Sequence, residues 1–272
     1  LYTAFWDFLE VTETRSYILD LASLICVMMW YSFLGWFYES TIYSLCEQGI
    51  FMNRGYFIGP YCPIYGVACV MNLYLLEGIT SSFRIILLSA LTICSIEYIT
   101  SYILEKLFGT RYWDYSYYPL NINGRISVVS GLFFGIVSLI LIKWLHPFTL
   151  HMLSHISMRS RIFAATGFTL IFIFDAVFTV VSMCNLNKKC KELYDAWDEY
   201  VENGLDILNT KKDNLNRFTI VRKGKNVVVK LKDVNKTFLE LETRYFKVFP
   251  NLKHTKYGVV IDKLKETIRR NR

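Results

Sequence analysis

The sequence predicts an all-α polytopic integral membrane protein: about five transmembrane helices followed by a C-terminal helical tail. Three observations carry this. Of 272 residues, 53% are hydrophobic and 17% aromatic, against 19% charged, where soluble domains carry about 25% charged residues. Five stretches approach the roughly 20 apolar residues that a helix needs to cross the hydrocarbon core. The charge is also divided along the chain. Residues 187–272 hold 21 Lys and Arg against 12 Asp and Glu, whereas residues 1–186 hold 9 against 11. An apolar, nearly uncharged body with a basic, water-compatible tail excludes a simple soluble enzyme, a disulfide-rich secreted domain and a disordered chain.

The expected organisation is an N-terminal interfacial segment (1–16), a transmembrane domain (17–186) and a basic amphipathic helical tail (187–272). Phe5, Trp6, Phe8 and Leu9 fit a segment lying flat in the interface. The expected crossings are Tyr17–Tyr38, Gly59–Leu76, Phe83–Leu104, Ser127–Leu145 and Ile162–Cys184. The second is short and carries Pro60 and Pro63, so it reads as broken or re-entrant. Trp30, Trp36, Trp113 and Trp144 near span ends fit aromatic belts. Ser127, Gly131 and Gly135 recur every four residues, a spacing that lets helix backbones approach closely in lipid. The seven cysteines are scattered without a CxxC pair, which argues against a zinc or disulfide framework. In the tail, Leu193, Trp197, Val201, Leu205, Leu208 and Leu215 recur at helical spacing. Arg222–Asn226 reads as a hairpin turn or a helix break, and Asn235–Val248 and Val259–Arg270 as two further helices about Pro250.

Five crossings put the loops after spans one and three, and the tail, on one face. Arg54, Lys106, Arg111, Arg125, Lys188, Lys189 and Lys191 lie on that face, against Arg15, Arg84, Lys143, Arg159 and Arg161 on the other. The excess of basic residues predicts that the tail side is cytoplasmic. Charges inside the apolar stretches are few: Glu97 sits late in span three and Asp175 just past the middle of span five, with Glu39 closing the first span. A carboxylate at membrane depth costs about 2.5–3.5 kcal/mol and normally faces a partner or a water-filled cavity. The same topology gathers Arg54, Arg111, Asp114, Asn121, Asn123 and Arg125 from the two polar loops toward these acids. Two readings stand. In one, the nine residues line a polar pocket for an anionic group such as a lipid headgroup or a small solute. In the other, the arginines pair with Glu39, Glu97 and Asp114 to close the fold.

Three segments are distinctive together. Tyr31-Ser-Phe-Leu-Gly-Trp-Phe-Tyr-Glu39, the Gly- and Pro-rich run Asn53–Gly66, and Trp113–Arg125 occur in an order and spacing that resemble the bacterial family named Putative ABC-transporter type IV, over about residues 17–146. Phe249–Lys253 followed by Tyr257 resembles the family's tails. The resemblance implies a multi-span bacterial cell-membrane protein with a permease-like role.

Transport by such a protein requires an ATPase. The chain contains no GxxxxGK[ST], so that subunit is expected in trans, and so few spans point to a homo-oligomer. An intramembrane enzyme acting on a lipid or phosphate-bearing substrate is the second reading. No nucleophile–base motif supports it, and no catalytic residue is assigned. A membrane scaffold or sensor with a partner-binding tail is the third. His151 and His155, at i, i+4 beside His146, fall short of a metal-ligand set, and no metal or cofactor is implied. Membrane lipids are expected partners of the basic tail. Nucleic acid is not, since the tail's aromatic residues sit at core spacing.

Overall fold

The computed structural model describes residues 20–209, 240–249 and 251–270. The expected interfacial segment, Leu215 and the Arg222–Asn226 turn lie outside them. The chain divides into two compact units, one of residues 1–100 and 114–177, the other of residues 101–113 and 178–272.

In the first unit, helix α1 (Leu21–Phe37) starts at Asp20, whose carboxylate accepts the Ser23 N–H at 2.9 Å. The helix passes through a π-helical turn, Tyr38–Tyr43, into α2 (Ser44–Gln48) and ends at Gly49, whose φ of 69° closes the helix. Thr41 seeds the irregular turn by donating its hydroxyl to the Phe37 carbonyl, four residues back. The chain then retraces α1. Ser44 Oγ donates to Ile50 O (2.8 Å), Arg54 N to Ser40 Oγ (3.0 Å) and Cys62 N to Ser32 O (2.8 Å). Only from Pro63 does it become helical, as α3 (Pro63–Leu75), with proline at the position where its missing N–H costs nothing. Gly66 is required there: a Cβ would stand 2.2 Å from the Met28 carbonyl.

Helix α4 (Ser82–Phe108) packs on α5 (Val128–Ile140), where Gly131 faces Cys94 Sγ and Gly135 faces Ile86 O. A Cβ on either glycine would lie 2.6 Å from those atoms, so the four-residue spacing serves close helix contact. A second π-helical turn, Leu141–Leu145, leads into α6 (His146–Ser154). After the short turn at 155–157, helix α7 (Met158–Asn209) runs unbroken. Its first turns are tied to α1 by Arg161, which reaches Asp20 at 3.2 Å and Ser23 Oγ at 2.5 Å.

Four helical stretches are long and apolar enough to span a bilayer: Leu21–Cys46, Ser82–Phe108, Val128–Ser154 and Met158–Asp198. The expected second crossing is not a fifth. Its helix has 13 residues, about 20 Å at 1.5 Å per residue against a core of about 30 Å. The rest of the distance along α1 is covered by the non-helical chain of 50–62.

The second unit contains the end of α4, the descending part of α7, α8 (Glu240–Val248) and α9 (Gly258–Arg270). Strand β1 (Thr110–Arg111) pairs antiparallel with β4 (Lys253–His254), with Thr110 opposite His254. Phe249 packs edge-on against Tyr112 at 5.3 Å, and Tyr257 against Tyr194 at 5.4 Å. Leu252, Val260, Ile261 and Leu264 are buried.

Candidate functional site

The π turn sets the geometry of the site. By adding a residue to the helical turn, it places Glu39 and Ser40 toward the returning chain. Ser40 receives the Arg54 N–H, and Glu39 is held from two sides. Tyr65 of α3 donates to its Oε1 at 2.6 Å, and Arg54 Nε lies 3.6 Å from its Oε2. The Arg54 guanidinium also lies over the Tyr43 ring, 4.5 Å from its centroid. Trp36 Nε1 donates to Asn53 Oδ1 at 2.7 Å and fixes the start of the loop.

Non-helical backbone inside a membrane protein needs partners for its N–H groups. Asp175, on α7, supplies them. Its Oδ1 accepts from Ile58 N (3.0 Å), and its Oδ2 from Gly59 N (2.8 Å) and the Tyr61 hydroxyl (2.5 Å). Both oxygens are thus engaged in holding the Ile58–Tyr61 bend.

The second loop is built around Asn121 and Asp114. Asn121 Nδ2 donates to the Ser116 and Tyr118 carbonyls, and its Oδ1 accepts the Gly124 N–H. Asp114 Oδ1 accepts the Ser116 N–H at 3.0 Å and abuts Gly124. Gly124 has a φ of 66°, and a Cβ there would stand 2.6 Å from Asp114 Oδ1. Strands β2 (Asn121–Ile122) and β3 (Ile126–Ser127) close the loop. It delivers two side chains to α4: Asn123 Nδ2 donates to the Tyr98 hydroxyl at 3.0 Å, and the buried Arg125 guanidinium lies 5.5 Å from the centre of the same ring.

Glu97, next to Tyr98, is the central acid. Its Oε2 is fully enclosed and has no hydrogen-bond partner among the described residues. Glu39, Tyr65 and Tyr115 lie within electrostatic reach of it. Burial pushes the Tyr115 hydroxyl well above the usual phenol range.

The structure pairs Arg54 with Glu39 and sets Glu97 within electrostatic reach of Glu39, while Asn123 and Arg125 meet Tyr98, the neighbour of Glu97 on α4. Asp114 and Asn121 shape the loop that carries two of them, and Asp175 shapes the other loop. Arg111 belongs to the second unit, where its Nε and a terminal nitrogen both bond Glu105 Oε2, at 3.1 and 3.0 Å. The sequence reading missed Tyr65, Tyr98 and Tyr115, the phenols that hold or face these charges. A signal for Tyr98 was its position beside Glu97. His146 stands in the sequence beside the His151 and His155 pair. It is wholly buried, with Nδ1 2.9 Å from the Tyr31 hydroxyl. Among the described residues no group of three or more His, Cys, Asp or Glu could hold a metal ion.

Long apolar helices that carry a partly buried group of ionisable side chains define a polytopic membrane protein. Residues 26–180, more than half of the chain, match the model of the family described as Putative ABC-transporter type IV, and the chain belongs to that family. The match reaches from within α1 into α7, taking in both loops and all five clustered residues, and stops before the tail. No curated protein and no solved structure matches the chain.

Proposed function

We propose that this chain is the permease-like membrane subunit of a transport system in the bacterial cytoplasmic membrane. Its working site is the cluster of Glu39, Arg54, Glu97, Asn123 and Arg125, shaped by the loops that Asp114, Asn121 and Asp175 hold. The tail lies on the cytoplasmic side, where an ATPase on a separate chain engages it. One observation carries the reading: ionisable side chains from α1, α4 and two irregular loops converge within a membrane domain. Such residues are expensive at this depth and mark solute or ion paths. Family membership supports the same class of role.

The test compares cells carrying the unaltered gene, a deletion, Arg54→Gln and Arg125→Gln, by solute and lipid profiling and by identifying an ATPase that copurifies. The expected result is that both variants reach the membrane in normal amount, retain the ATPase and reproduce the deletion's profile. Variants indistinguishable from the unaltered protein, set against a deletion that changes the profile, would remove the cluster from the path. A changed lipid profile with no associated ATPase would replace transport with lipid chemistry.

A further inference from the structure

The two acids of the cluster are treated very differently by their surroundings. Glu39 has a hydrogen bond from Tyr65 on one oxygen and the Arg54 cation near the other. Glu97 has an enclosed oxygen, Oε2, with no hydrogen-bond partner among the described residues. The groups in electrostatic reach of it come from several elements. Glu39 comes from the π-helical turn after α1, and Tyr65 from α3. Cys94 is on its own helix, and Tyr115 is on the second loop. The nearby cations are engaged elsewhere, Arg54 with Glu39 and Tyr43, and Arg125 over Tyr98.

An enclosed carboxylate opposite a second carboxylate is costly unless its charge is removed or paired. A proton removes it without needing space, which suits an oxygen enclosed by protein. We propose that the cluster is a proton-binding site and that Glu97 carries the exchangeable proton. The proton sits on a Glu97 carboxyl oxygen and leaves as hydronium to water that reaches the partly exposed side chain, so no other bond is made or broken. Release leaves a second carboxylate within reach of Glu39, a state in which the cluster holds one more negative charge than before. The inference rests on the reading of this cluster as the working site only for its purpose, since the proton is measurable with no solute present.

The experiment is infrared difference spectroscopy of the purified full-length protein in neutral-lipid bilayers, titrated with acid and base. The expected result is a protonated-carboxyl stretch at neutral pH that shifts in D2O, moves on 13C-glutamate labelling and disappears in Glu97→Gln. In Glu39→Gln, which removes the opposing charge, the band should persist at neutral pH with a changed midpoint. The labelling arm uses the unaltered chain and so stands if Glu97→Gln fails to fold. A neutral-pH spectrum without such a band, a band that ignores glutamate labelling, or one that survives Glu97→Gln at full strength would each overturn the proposal. None of these outcomes bears on the solute profiles, so the two readings fail separately.

Discussion

Ile171, on α7 in the first unit, and Val259, on α9 in the second, are exposed almost equally, at 59% and 54%. Their surroundings are inverted. The first unit turns Leu170, Ile171 and Phe163 outward and buries Ser23, Ser32, Asn72 and His146. The second buries Leu252, Val260, Ile261 and Leu264 and leaves Lys247, Lys253 and Lys256 outside. The same exposure therefore means contact with lipid around Ile171 and with water around Val259.

The sharpest way to break this comparison is to make one substitution in both places. Ile171→Lys puts an ammonium where the surrounding medium is hydrocarbon and should cost about 3 kcal/mol on insertion scales. Val259→Lys should stay within about 0.5 kcal/mol, as surface changes in water do. Membrane-insertion yield and thermal unfolding of the two variants in the same detergent would decide it. Equal losses would show that the two surfaces meet the same solvent.

A smaller effect probes the inward polar groups of the first unit. Asp175→Asn keeps the shape of the side chain but exchanges one acceptor oxygen for an N–H group. That amide would face donors at Ile58, Gly59 or Tyr61. The expected cost is about 2 kcal/mol, close to that of leaving a buried donor unanswered. It should show as earlier aggregation on heating and faster proteolysis of the 53–62 loop. An unchanged melting point would mean that the loop holds its bend without Asp175.

The inversion also explains which features could be read from the sequence. Long apolar runs announce themselves by composition, so the four long helices were visible, and so were the acids that interrupt them. The tail's helix from Leu193 was visible too, but not its continuity with the last crossing. The residues between Gly167 and Gly204 contain no Gly or Pro, and α7 runs through as 52 residues. The return of 50–62 along α1 was hidden because irregular chain has no helical period; Pro60 and Pro63 marked only that the helix had to start late. The β1–β4 pairing was hidden because two-residue strands carry no periodicity. At the site, the acids and arginines were legible as charges out of place. Their division of labour was not, because it depends on which donors the folded loops present. Nothing in the types Asp175 and Glu97 tells that one meets three donors and the other leaves an oxygen with none.

The mildest effect expected is a dependence on pH confined to the second unit. His254 Nδ1 accepts the N–H groups of Lys256 and Tyr257, each at 3.0 Å, so the ring proton resides on Nε2, 3.1 Å from Asn187 Oδ1. A second proton would have to enter at Nδ1, against two N–H groups. Burial holds the folded pKa down at about 4, from an ordinary value of 6.5. The unfolded segment therefore takes up its proton first as the pH falls. The stability contributed by the neutral ring is complete above about 6.5 and drains away as the pH approaches 4. Hydrogen exchange across Leu252–Tyr257 should quicken between pH 7 and pH 4.5 in the unaltered protein. His254→Gln should start less protected at pH 7 and change less over the same range, because it has no ring to titrate. Parallel pH profiles for the two proteins would place the sensitivity in other groups of the tail.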